Sequence, residues 1–108
     1  MRYLVDMRLT DAARPRSPQE GAAFIRDFIL PSLEMCKKLE ETGKVLAGGP
    51  ASCAIRLLLV VEADSALELD ELIERLPVWP LMNTDVTPLT TFEGRQLALR
   101  GIVGGAEP

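Results

Sequence analysis

The sequence predicts an α+β domain in the order strand, helix, strand, strand, helix, strand, built around an antiparallel sheet. Three observations predict it. The N-terminus alternates apolar and polar residues with a period of two, two serine-capped helical stretches each stand between strand-like runs, and the two strand-helix-strand halves have similar lengths.

Arg2 to Leu9 places Tyr3, Val5, Met7 and Leu9 on one face and Arg2, Leu4, Asp6 and Arg8 on the other, the pattern of a half-buried first strand. The polar stretch Thr10 to Ser17 then leads into Ser17-Pro18-Gln19-Glu20. There serine caps, proline suits the first helical position and glutamate stands three residues after the cap. The first helix follows, with Phe24, Ile25, Phe28, Ile29, Leu33, Cys36 and Leu39 at three- and four-residue spacing, and Thr42-Gly43 ends it. Pro31 cannot donate to the carbonyl of Asp27, so a kink or short break is expected near it.

Lys44 to Ala47 reads as the second strand, closed by a Gly48-Gly49-Pro50-Ala51-Ser52 turn, and Ala54 to Glu62 as the third, the two forming a hairpin. Ser65-Ala66-Leu67-Glu68 is a second capping box, and Leu69, Leu72, Ile73 and Leu76 make the stripe of a helix ending before Pro77. Thr84 to Phe92 is the fourth strand. Glu93-Gly94-Arg95 reads as a turn, Gln96 to Val103 as a fifth strand or an arm reaching a neighbouring subunit, and Gly104 onward as a mobile end. Residues 1–96 thus form the protomer domain, and 97–108 an arm or flexible tail.

A chain of 108 residues that is 47% hydrophobic but only 5% aromatic must pack its core with aliphatic side chains. If both helices cover one sheet face, the other carries Leu4, Leu58, Val60 and Leu89 beside Asp6, Arg8, Arg56 and Glu62, and such a half-apolar face calls for a partner. A homodimer or higher homo-oligomer is the expectation. The formal charge of −4, with no block of basic residues, argues against nucleic acid. The apolar run Leu57 to Val61 is far shorter than the roughly 20 residues a membrane span needs, and the N-terminus shows no signal-peptide pattern; a cytoplasmic location is expected. With no histidine and only Cys36 and Cys53, no four-ligand zinc set exists; reduced thiols are expected, and no metal is assigned.

The block Leu76-Pro77-Val78-Trp79-Pro80-Leu81-Met82, followed by Asp85-Val86-Thr87-Pro88-Leu89, resembles the end of the muconolactone isomerase-like proteins, and Gly48-Gly49-Pro50 is similar to a turn of YCII-related proteins. The resemblance implies a ferredoxin-like protomer of the dimeric α/β-barrel superfamily, whose sheets face each other in a dimer or in a ring as large as a decamer. It also implies pockets between sheet and helices, and an isomerase that moves a proton in a lactone without metal or organic cofactor.

Such chemistry needs a base near an acidic carbon and a cation or hydrogen-bond donor for the enolate oxygen. Asp6, or Glu62 on the neighbouring strand, is the candidate base. Arg56, with Arg8, is the candidate binder of a substrate carboxylate, for which its planar fork is suited. Trp79, which the resemblance places near the pocket mouth, is a candidate wall for a flat ligand. Each has a plainer alternative: the charges form an interface ion-pair network, and Trp79 closes the core or packs across an interface. The competing function is a non-catalytic small-molecule-binding or oligomeric accessory protein on the same scaffold.

Overall fold

The structure, a computed structural model, describes residues 1–107. The strands are β1 (Arg2–Leu9), β2 (Val45–Pro50), β3 (Arg56–Glu62) and β4 (Met82–Leu89), and the helices are α1 (Pro18–Phe24), α2 (Leu30–Glu41), α3 (Ala66–Glu74) and α4 (Phe92–Ala106). The sheet runs β2-β3-β1-β4 with every neighbouring pair antiparallel. Because β1 and β3 are the central strands and each is followed by a helical crossover, the chain has the ferredoxin-like βαββαβ arrangement that the sequence predicts, with α4 added after it.

The alternation in β1 is realised as expected. Tyr3, Val5 and Met7 are buried, and Leu57, Leu59 and Val61 of β3 join them beneath α2 and α3, which contribute Cys36, Leu69 and Ile73, with Leu76 just past the end of α3. Serine caps open both crossovers: Ser17 Oγ accepts the Glu20 amide at 3.1 Å, and Ser65 Oγ accepts the Glu68 amide at 3.1 Å. The first crossover ends at Gly43 (φ 79°), where the Lys44 amide donates to Leu39 O at 2.9 Å and the Gly43 amide to Glu40 O, a glycine-terminated cap.

The break expected near Pro31 takes the form of a π turn over Ile25–Ile29, in which the Leu30 amide reaches back to Ile25 O. The wider turn absorbs the donor that Pro31 lacks without ending the helix. Ser32, the one buried polar residue of the described core, bridges the layers. Its hydroxyl donates to Phe28 O at 2.6 Å and accepts the Val78 amide at 3.1 Å, tying α2 to the 3-10 turn Trp79–Leu81.

Three boundaries differ from the sequence expectation. Gly48-Gly49-Pro50 does not turn the chain but completes β2, pairing with Leu59, Leu58 and Leu57, so the hairpin bends at 51–55 and β3 starts at Arg56. A register shift between Val45 and Ala47 and the positive φ of Gly48 (105°) let a glycine-rich segment follow β3. β4 begins at Met82 and ends at Leu89, before Phe92. The segment expected as a turn followed by a fifth strand or an arm is helical, which replaces the turn and the strand: Thr91 caps α4 by accepting the Gly94 amide at 2.9 Å, which commits Phe92 to the first turn. No residue of α4 is buried, and no helix of the described chain is long and apolar enough to cross a membrane.

Candidate functional site

The sheet face away from α2 and α3 is open. Register places Arg2, Leu4, Asp6 and Arg8 of β1 between Glu62, Val60, Leu58 and Arg56 of β3 and Leu89, Thr87, Asp85 and Asn83 of β4. Alternation therefore delivers the expected set of side chains to one surface, as the sequence implies.

Within that face the charges form separate groups. Arg56 grips Asp6 with both arms of its guanidinium, Nε to Oδ1 at 2.9 Å and the terminal nitrogen to Oδ2 at 2.7 Å. The hydrogen bond from Arg56 holds the Asp6 carboxyl below the ordinary carboxylate range, outweighing the opposite effect of desolvation, and Asp6 in turn raises Arg56. Beside them Arg8 donates to Asp85 Oδ2 at 2.7 Å. Sequence reasoning missed Asp85 as Arg8's partner, although its place two residues from Thr87 and four from Leu89 on the same strand face was the available signal.

Glu62 stands apart. It lies opposite Arg2, four positions along β3 from the partner of Asp6, a separation of about 13 Å along a strand. There it receives the N-terminal ammonium at 3.2 Å and faces Arg2 Nε at 3.6 Å. The structure thus brings Asp6, Arg8 and Arg56 together and leaves Glu62 at the far end of the face.

Two depressions meet at Arg56. An apolar cavity of about 280 Å³ separates the helices from the β2–β3 hairpin, walled by Phe24, Ile29 and Leu33 on one side and Leu57 and Met82 on the other, with Ser32 and Arg56 as its polar members. The second is a hollow of about 530 Å³ bordered by Arg8, Arg14 and Arg56 together with Cys53, and no carboxylate lines it. The π turn positions the first cavity's helical wall, since Ile25 and Ile29 both belong to it. Trp79 is not among the cavity's lining residues. It is 37% exposed on its 3-10 turn, while its neighbour Val78 lines the wall.

Neither cysteine forms a disulfide; Cys36 is buried, which raises its thiol, and Cys53 is exposed. Among the described residues no group of three or more His, Cys, Asp or Glu side chains could hold a metal ion. What the arrangement offers chemically is a slot for an apolar body next to a cluster of guanidinium groups, with one carboxylate held ionised between them.

The family model described as muconolactone delta-isomerase matches residues 1–94. A crystal structure of muconolactone isomerase superposes with a TM-score of 0.64 at 19% identity, covering 84% of this chain and 90% of that one. A 5-chloro-2-hydroxyhydroquinone dehydrochlorinase from Burkholderia phenoliruptrix AC1100, in complex with 2,5-dihydroxybenzoquinone, superposes with a TM-score of 0.63 at 20% identity, covering 87% and 98%. At those identities the two structures establish the shared fold. No curated protein matches the sequence.

Proposed function

The chain belongs to the muconolactone delta-isomerase family, and on that premise we propose that it is a cofactor-independent isomerase, shifting a proton within a small lactone or similar metabolite that carries a carboxylate. The observation that supports this most is the position of Arg56, which borders both the apolar cavity and the arginine-lined hollow while its fork holds Asp6.

In this reading the ring of the substrate enters the apolar slot and its carboxylate enters the hollow, where Arg8, Arg14 and Arg56 face it. A carboxylate that takes over the fork of Arg56 removes the hydrogen bonds that depress Asp6, so binding itself makes Asp6 a stronger base. Asp6 then takes the proton from the carbon next to the lactone carbonyl. The C–H electron pair moves into the enolate, whose oxygen is stabilised by a guanidinium, and the proton returns at a different carbon with the double bond shifted. The base role falls to Asp6 over Glu62 because Asp6 is held by Arg56, the residue that borders both depressions, whereas Glu62 pairs with Arg2 and the N-terminal ammonium at the far end of the face, and Trp79 serves at most as a flank of the slot through its neighbour Val78.

The test is deuterium uptake from D2O together with ultraviolet-detected isomerisation of unsaturated carboxylated lactones. Asp6→Asn is expected to lower kcat by about 10²- to 10⁴-fold with little change in KM, and Arg56→Ala to raise KM at least tenfold. Unchanged turnover in Asp6→Asn removes the assignment.

One observation favours a second reading, that of a non-catalytic small-molecule-binding or oligomeric accessory protein. The open-face charges are already matched within one chain, Asp6 with Arg56, Arg8 with Asp85 and Glu62 with Arg2. That reading gains if lactones bind without any deuterium uptake. A homo-oligomer formed through the open sheet face fits either function.

A further inference from the structure

The apolar cavity does not end at Leu33. A further space of about 300 Å³ lies beyond it, between α2 and β2, and the two share Leu33, Pro50 and Leu57 as walls. On the other side the cavity meets the arginine-lined hollow, with Ala54, Ile55 and Arg56 in common. Three depressions therefore follow one another, from the guanidinium groups through the cavity to the seam beneath α2. From Arg56 to Leu59, which borders the last of them, the path along β3 is about 10 Å long.

The sequence of β2 keeps that seam open. Gly48 and Gly49 contribute backbone alone where β2 passes the Leu33–Cys36–Glu40 side of α2, and glycine inside a strand marks a place where another group comes close to the backbone. The ring of the substrate proposed above fills the cavity and leaves the seam without an occupant.

Polarity specifies what fits there. Between Arg56 and the exposed Lys37 and Glu40 at the outer rim, the only side chains with a polar or sulfur atom are Ser32 and Cys36. The Ser32 hydroxyl already donates to Phe28 O and accepts the Val78 amide. Cys36 is buried, and burial keeps its thiol protonated. A hydroxylated substituent would lose water and find no partner, whereas every methylene placed there leaves water for apolar walls. Lys37 and Glu40 carry opposite charges, so the rim offers no net charge to a second ionised group.

We infer that the ligand of this site is amphiphilic, a carboxylated ring or acid bearing a narrow apolar chain that runs past Leu33 and lies between α2 and the glycines of β2. The inference rests on the reading above for the seat of the carboxylate and is independent of the proton shift.

Titration calorimetry of the full chain with butanoate, hexanoate, octanoate and 1-octanol tests it. With bonds of about 1.52 Å at about 111°, the extended octanoate chain spans about 9 Å and reaches the seam, while butanoate stops short of it. Affinity is expected to rise about fourfold for each methylene buried, and octanoate less than tenfold tighter than butanoate overturns the inference. 1-Octanol, without the charge, is expected to bind at least tenfold more weakly than octanoate, and equal binding overturns the carboxylate end. Arg56→Ala separates the two readings. If it weakens all three acids at least tenfold but chain length has no effect, the inference fails and the carboxylate seat stands; if it weakens none of them, both fail. In methyl-labelled protein, octanoate is expected to shift the resonances of Val45 and Leu59, which border the seam alone, and butanoate to leave them in place. Tight octanoate binding without those shifts puts the chain elsewhere and also overturns the inference.

Discussion

At Gly48 the backbone leaves no room for a side chain. Its φ of 105° lies in the left-handed region, and an added Cβ would fall on the carbonyl oxygen of Leu58, so strain and steric conflict act together. Gly48→Ala is expected to destabilise the domain by more than about 2 kcal/mol in urea unfolding. Gly49→Ala, where a Cβ meets nothing within 4 Å, should stay within about 0.5 kcal/mol. Equal midpoints for the two variants would show that the edge relaxes around the new methyl group. The same residue scale shows what the sequence could tell about the site. Alternation alone assigned Asp6, Arg8 and Arg56 to one face, because side-chain direction in a strand is a matter of parity. It could not place Glu62 along that face, since distance depends on register, and register is set by which residues pair across strands.

Among the elements, the capped helices were the most legible. Ser17 and Ser65 announce their starts through side-chain hydrogen bonds that only a few residue types can make, and Gly43 announces the end of the first crossover through a positive φ that favours glycine. Gly48-Gly49-Pro50 misled because its composition is that of a turn, whereas an edge strand with a bulge tolerates both residues. The last helix misled for a different reason: Gln96 to Val103 carries apolar residues at spacings compatible with either period, and Thr91 as a cap was the signal that decides it. Ser32 was invisible to pattern reading, a small polar residue in an apolar stripe whose role exists only once Val78 arrives from a distant part of the chain. Ser32→Ala leaves the buried Val78 amide without its acceptor and is expected to cost about 1–3 kcal/mol, measured by thermal or urea unfolding. No loss would mean that the turn re-forms with another partner. Because Ser32 also lines the apolar cavity, a lowered affinity for lactones in the same variant would accompany it.

For the molecule as a whole, three ion pairs carry shifted groups, Asp6 with Arg56, Glu68 with Lys44 and Asp27 with Arg26, and the first two join residues distant in sequence and so bear most on the response to pH. Asp6 is depressed first by its hydrogen bond to Arg56, and Glu68 by its hydrogen bond to Lys44 at 2.6 Å. A group with a lowered folded-state value contributes stability that is present above its unfolded value, about 4 for a carboxylate, and is lost as pH falls through the folded one. Lys44 is raised by the same Glu68 bond, so its contribution holds below its unfolded value, about 10.4, and fades as pH rises through the folded value. Melting temperature is therefore expected to be level between about pH 5 and 10 and to drop on either side. Asp6→Asn and Glu68→Gln should each flatten the acid limb, and an acid limb unchanged in both variants would assign the loss to other carboxylates.

The two outer strands of the sheet each contain a proline, Pro50 in β2 and Pro88 in β4. An outer strand normally offers a row of free amides onto which another chain can add, and a proline interrupts that row. Lateral growth of the sheet from molecule to molecule, the route to fibrils and to gelling at high concentration, is thereby discouraged at both margins.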